Sequence, residues 1–207
     1  PLRGAWAAAA MLACAVPVAV GFAVPVAELV RLHLAVGDSM WGPRFVAFAW
    51  NSLILAGGSA ALLVALGLFL AYAQRVDGGR VVRLAVRAAG FGYAVPGAVV
   101  AVGLLIALGA ADGAVDRAAR AAFGVSTGLI FTGTVVALFF AYAVRFLAIA
   151  LNSVEAGLAR IPPRMDDAAR SLGHGAGATL RRVHLPMLRA SVLSAAIFVF
   201  ADVMKEL

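Results

Sequence analysis

The sequence predicts an all-α bundle of membrane-spanning helices. Of its 207 residues, 64% are hydrophobic and 13% charged, where a soluble domain has roughly 45–50% and 25%. The mean hydropathy is +1.00. Four runs, Gly4–Ala27, Phe45–Gln74, Ala88–Ala111 and Ala121–Val144, contain no Asp, Glu, Lys or Arg. About 20 apolar residues at 1.5 Å each cross the ~30 Å of bilayer hydrocarbon, and every run reaches that length.

A fifth apolar run starts at Ala190 and continues past Asp202, Lys205 and Glu206 to Leu207. The expected spans are therefore 5–26, 48–72, 91–110, 128–150 and 190 onward, five in all, with the last cut short. Barrel strands are excluded, because the runs are rich in Ala, Leu and Gly and do not alternate polar with apolar. Gly57, Gly58, Ser59, Ala60 and Ala61 suit close helix contact in lipid, and Pro17, Pro25 and Pro96 suit kinks or span ends. The start at Pro1 and the stop at Leu207 within an apolar segment lead us to expect one transmembrane domain over 1–207 that is a piece of a longer chain.

The net charge of +7 comes from 16 Arg and one Lys against 10 acids. Most arginines sit between apolar runs, which points to membrane topology and membrane lipid rather than to nucleic acid. If the long link 151–189 lies in the cytoplasm, twelve arginines fall inside: Arg3, the 75–87 group, Arg145 and those from Arg160 to Arg189. Four fall outside, beside Glu28, Asp38, Asp112 and Asp116. That bias places 151–189 in the cytoplasm. In the outer link, Val115–Phe123 suits either a short interfacial helix with Asp116 and Arg120 paired at i,i+4 or a solvated link with no role of its own.

Several chemistries are absent. The only lysine, Lys205, stands in no phosphate-binding loop, so this chain is not an ATPase. The single Cys14 excludes disulfide scaffolds and cysteine-based zinc clusters, no metal site is assigned, and no catalytic residues stand out. His174 and His184 read as ordinary residues of a flexible link.

The link 151–189 carries the most information. Pro162 and Pro163 suit a helix start, Asp166 and Asp167 suit its N-terminal turn, and Gly173 suits the left-handed residue that ends it. Pro186 marks the start of the last span. A helical pair with small Ala168 and Ala169 on one face suits docking into another protein's cleft, while Arg170, Arg181 and Arg182 are able to pair with acids there.

This stretch resembles the cytoplasmic signature loop of binding-protein-dependent ABC importer permeases. That signature is E-A-A, three residues, G, nine residues, then I-x-L-P. Here it reads Asp167-Ala168-Ala169, then Arg170-Ser171-Leu172, Gly173, nine residues, and Val183-His184-Leu185-Pro186. Asp167 replaces Glu and Val183 replaces Ile. The resemblance implies a type I importer permease bundle whose coupling loop (Asp167, Ala168, Ala169, Arg170, Gly173, Val183, Leu185, Pro186) docks on ABC ATPase subunits. It further implies ATP and magnesium on that partner, no cofactor on this chain, and a periplasmic or lipid-anchored substrate-binding protein. A second permease half, fused or separate, completes the assembly in the bacterial inner membrane.

The opening P-L-R-G and the closing Asp202-Val203-Met204-Lys205-Glu206-Leu207 resemble the second half of ferric-iron permeases, which implies ferric iron as cargo; thiamine or another small solute is the alternative. A channel or structural membrane protein without an ATPase partner is the reading from a different class. Asp202, Lys205 and Glu206 are the candidate translocation path, with an ion pair that fixes helix packing or a span end as the alternative reading. Lys205 lies 15 residues beyond Ala190, about 22 Å up the helix, where a lipid-exposed charge costs ~2.5–3.5 kcal/mol. Asp202 and Lys205 are spaced to pair, and Asp202 and Glu206 share a helix face.

Overall fold

The computed structural model describes residues 3–36 and 42–207; Pro1, Leu2 and Asp38 lie outside them. Nine α-helices and no strands occur among the described residues. Five helical stretches are long and apolar enough to cross a membrane: Ala5–Ala35, Arg44–Val76, Gly97–Phe123, Val135–Leu158 and Ala176–Glu206.

The chain divides into two units, 1–50 and 51–207. In the first, α1 (Ala5–Val18) passes through a π turn at Ala19–Ala23 into α2 (Val24–Val36). Pro25 has no N–H to donate back to Gly21, so the regular ladder cannot continue there, and the wider turn takes up the break. The helix therefore runs well beyond the expected end at 26, as Glu28 and Arg31 pair along its surface.

In the second unit the core lies between the part of α3 (Pro43–Val76) from Asn51 onward, α6 (Val135–Leu158) and α9 (Leu185–Glu206). Ala56, Ala60, Leu63 and Val64 of α3 meet Tyr142, Phe146 and Ala150 of α6, and Ala195, Val199 and Val203 of α9. Small residues at i, i+4 on α3 let backbones approach, which drives association where lipid removes most of the hydrophobic gain. The buried stripe is Ala56, Ser59 and Ala60; Gly58 and Ala61 face outward. At the α6–α9 crossing, a Cβ on Gly157 would stand 2.5 Å from Ser191 Oγ and 2.8 Å from Leu188 Cδ2, so only glycine fits. A second cluster joins Ala71, Leu151, Val154, Leu158, Ile161 and Leu188 at the same end of these helices.

The remaining elements correct several expected boundaries. The link after α3 contains a helix, α4 (Arg80–Phe91), whose Arg80, Arg83 and Arg87 are exposed while Val86 and Ala89 pack on the second cluster. A 3₁₀ turn at Gly92–Ala94 and Pro96 lead into α5 (Gly97–Phe123), which absorbs the expected separate helix at 115–123. The Asp116–Arg120 pair forms at 2.7 Å. The fourth span begins at Val135 rather than 128, capped by Thr134, whose hydroxyl accepts from Val136 N–H.

The late start has a physical cause. Asp112 is 1% exposed and gathers the segment 130–132 around its carboxylate. Ile130 and Phe131 N–H donate to Oδ1 at 2.9 and 2.7 Å; Thr132 N–H and its hydroxyl donate to Oδ2 at 2.9 and 2.6 Å. Asp116 does the same for Ser126 and Thr127. Backbone groups satisfied in this way are not available to a helix.

Candidate functional site

The link between α6 and α9 folds as a short helix hung from the core. The segment outside the two long helices is 159–184, because 151–158 continue α6 and 185–189 begin α9. Within it stand α7 (Arg164–Ser171), α8 (Ala176–Thr179) and a π turn at Leu180–His184. Asp166 and Asp167 occupy the first turn of α7, where the helix dipole favours negative charge. Gly173 has φ +78°, the left-handed conformation expected of it, and His174 N–H bonds back to Ala169 C=O at 3.0 Å.

The two faces of α7 differ. Asp167, Ala168, Arg170, Ser171 and Leu172 are exposed, Leu172 by 76%. Met165 and Asp166 are half-buried, and Ala169 is buried at 4%. Ala169 therefore does not lie on the docking face expected of it: successive residues of a helix are about 100° apart, which turns Ala169 into the protein while Ala168 faces out. Of the remaining loop residues, Val183 is half-buried, and Leu185 and Pro186 are exposed where α9 opens. Asp167 and Arg170 form a surface ion pair.

The inward face of α7 meets a charged network that sequence reasoning missed. Arg75, at the end of α3, directs Nε and Nη2 to Asp166 Oδ2 at 3.0 and 2.7 Å. The same guanidinium donates to Leu158 C=O at 2.7 Å and Ile161 C=O at 2.9 Å, capping the carbonyl end of α6. His184 is fully buried rather than part of a flexible link, and its Nε2 lies 2.9 Å from Asp166 Oδ1. Tyr72 stacks edge-on against His184, and its hydroxyl donates to Ala176 C=O at 2.8 Å. Beside this network lies an open cavity of about 320 Å³ lined by Tyr72, Arg75, Asp166, Arg170 and His174.

The charges near the other end of α9 resolve into two ion pairs. Asp202 pairs with Lys205 along the helix, as the spacing predicted. Glu206 pairs instead with Arg145 of α6 at 2.9 Å. Arg145 does not belong to a cytoplasmic link: it stands 10 residues from Val135 and 13 from Leu158 in α6, about 15 and 20 Å along the axis. Its guanidinium lies over the Phe146 ring and against Gly97, where a Cβ would be 1.6 Å from Nη1. Asp202 also borders a cavity of about 490 Å³ lined by Tyr93, Ala148, Asn152, Ser153 and Phe198. No group of three His, Cys, Asp or Glu suited to a metal occurs among the described residues.

Compared with known families, residues 63–207 match the model described as binding-protein-dependent transport system inner membrane component. No curated protein matches the chain.

Proposed function

The chain belongs to the family of binding-protein-dependent transport system inner membrane components, and on that premise we propose that α7 is the element through which it engages an ATP-hydrolysing subunit. A permease of this family is a non-catalytic, multi-pass protein of the inner membrane, working with ATPase and binding-protein partners. Membership sets aside the channel reading. The observation that supports docking is the division of α7 into an anchored inward face and an exposed outward face of Asp167, Ala168, Arg170 and Leu172. Small and charged side chains there permit close approach and orient the partner. ATP and magnesium belong to that partner, and 159–184 lies in the cytoplasm.

Ala168→Arg adds bulk to this face without touching the core. In the full-length complex it is expected to abolish co-purification of the ATPase while the permease still inserts; undiminished co-purification refutes docking through α7. For orientation, a cysteine at Gly177 in a Cys14→Ala background is expected to react only with membrane-permeant reagents, and one at Phe123 with impermeant reagents from outside.

The path we propose runs along the polar face of Asp202, Lys205 and Glu206, extended by Tyr93, Asn152 and Arg145. Charges at such depth are costly in lipid, which supports a water-filled path or the facing permease half as their neighbour. Ferric iron is the cargo we propose, on the resemblance of the Asp202–Leu207 run; thiamine or another small solute is the second reading. Because Asp202 and Glu206 are each paired with a cation, a metal cargo must compete with Lys205 and Arg145 for their oxygens. Glu206→Gln is expected to lower uptake while leaving expression and ATPase binding intact; unchanged uptake excludes Glu206 from the path.

A further inference from the structure

We propose that Arg75, Asp166 and His184 form the linkage that carries displacement of α7 into α3, α6 and α9, with Asp166 as the shared joint. The proposal rests on the reading that α7 docks the ATPase subunit, and goes further by naming how a movement there reaches the spans. A helix of eight residues flanked by turns cannot pull on long helices unless something ties it to them. Apolar contacts through Met165 and Ala169 hold it in place, but such contacts are non-directional and able to slide. Arg75 supplies the directional ties, two hydrogen bonds to one carboxylate, and the buried His184 Nε2 lies against the other oxygen of that carboxylate without hydrogen-bond geometry.

The geometry divides that carboxylate between two spans. Both Arg75 bonds arrive at Oδ2, which leaves Oδ1 to His184. Arg75 is the last basic residue of α3, and His184 immediately precedes α9. Through its other donors Arg75 also holds Leu158 and Ile161 C=O, the exit of α6. The side chains are shielded, at 17% exposure for Arg75, 23% for Asp166 and 0% for His184, so solvent does not dissolve the pair as it does on a surface. A planar guanidinium with fixed donors is required to reach one carboxylate and two carbonyls together; a lysine offers a single point charge. Arg75 and Asp166 are thus positioning residues for transport and lie off the exposed docking face.

The test uses the full-length permease with its ATPase subunit and binding protein in proteoliposomes. The variants are Arg75→Lys, Asp166→Asn and the double substitution. Each is expected to keep the ATPase subunit bound, and stimulation of hydrolysis by the solute-loaded binding protein is expected to fall about five- to tenfold or more, a usual size for coupling between sites. The double variant is expected to be no worse than the worse single one, as for residues acting through one contact. Full stimulation in Arg75→Lys overturns the proposal, since it would show that only the positive charge matters. Losses that add independently overturn it as well, and so does loss of the ATPase subunit from these variants, which would make the cluster part of docking itself. If Ala168→Arg leaves the ATPase subunit bound, the docking reading fails on its own, whatever the linkage variants do.

Discussion

Two carboxylates organise two links of this protein in opposite ways. Asp112 receives four hydrogen bonds, all from residues 130–132, three of them from backbone N–H groups. Asp166 receives its contacts from side chains 91 and 18 positions away, one on α3 and one at the foot of α9. The first arrangement freezes a local backbone path and delivers the chain to Thr134, the cap of α6. The second ties separate helices to a short one. A carboxylate caged by backbone amides fixes shape; one shared between distant side chains couples parts.

The largest effect is expected from Ala169→Trp, which attacks the seat of α7 directly. An indole has no room where a methyl is 4% exposed, and overpacking of this kind costs about 1–3 kcal/mol or more. Lower thermal stability of the purified permease together with poor ATPase binding is the expected result. Normal stability would mean that α7 is not seated on the core as described.

Asp112→Asn and Asp166→Asn sharpen the contrast. All four groups around Asp112 are donors, two to each oxygen, so an amide NH₂ must face two of them. At position 166 an amide of the same shape leaves the backbone in place but removes the charge that holds the Arg75 guanidinium. Hydrogen exchange at Ile130, Phe131 and Thr132 is expected to speed at least about tenfold in Asp112→Asn through local opening, with stimulation of the ATPase unchanged. Asp166→Asn is expected to show the reverse. If both variants disturb the same property, the distinction between the two links collapses.

Smaller effects test the supports of α7. Gly173→Val places a β-branched residue at φ +78°, a strain of about 1–3 kcal/mol that is expected to lower stability and ATPase association together. Tyr72→Phe removes one hydrogen bond to Ala176 C=O, worth about 0.5–1.5 kcal/mol. A small fall in melting temperature with near-normal uptake is expected, and a loss of coupling as large as that of Arg75→Lys would extend the linkage to Tyr72.

Much of the architecture was legible in the sequence, because a bilayer imposes length and apolarity on each span. Five spans, the break at Pro162–Pro163, the turn at Gly173 and the pairs Asp116–Arg120 and Asp202–Lys205 all follow from local spacing. What escaped was set by distance. The i, i+3, i+7 spacing of Arg80, Arg83 and Arg87 was the available signal for α4, but it sat in a segment short enough to pass as a link. Asp166 looked like a dipole-stabilising acid and His184 like a loop residue, since nothing local brings Arg75 to them. In sequence Arg145 groups with the cytoplasmic arginines; its partner Glu206 lies 61 positions away, and only the packing of α6 on α9 brings them together. Ala169 shows the limit of reading a small-residue face: spacing finds the helix but not which side is turned inward.

The π turn at Leu180–His184 has a consequence for rotational phase. Five residues along an α-helix lead to a position about 140° around the axis, so Thr179 and His184 would point to different sides. The i→i+5 bond, here from Leu185 N–H to Leu180 C=O, sets residues five apart nearly one above the other. Thr179 and His184 are accordingly both buried. The turn works as a phase shifter: it lets the foot of the helix keep His184 beside Asp166, while Leu188, Ala195, Val199 and Val203 further along face the core. A wheel drawn through 176–206 with one uniform period misplaces every residue on one side of 180–184 by about 100°, whereas deletion of one residue within the turn would close it to an ordinary i→i+4 turn and leave Asp202 and Glu206 in phase with the foot.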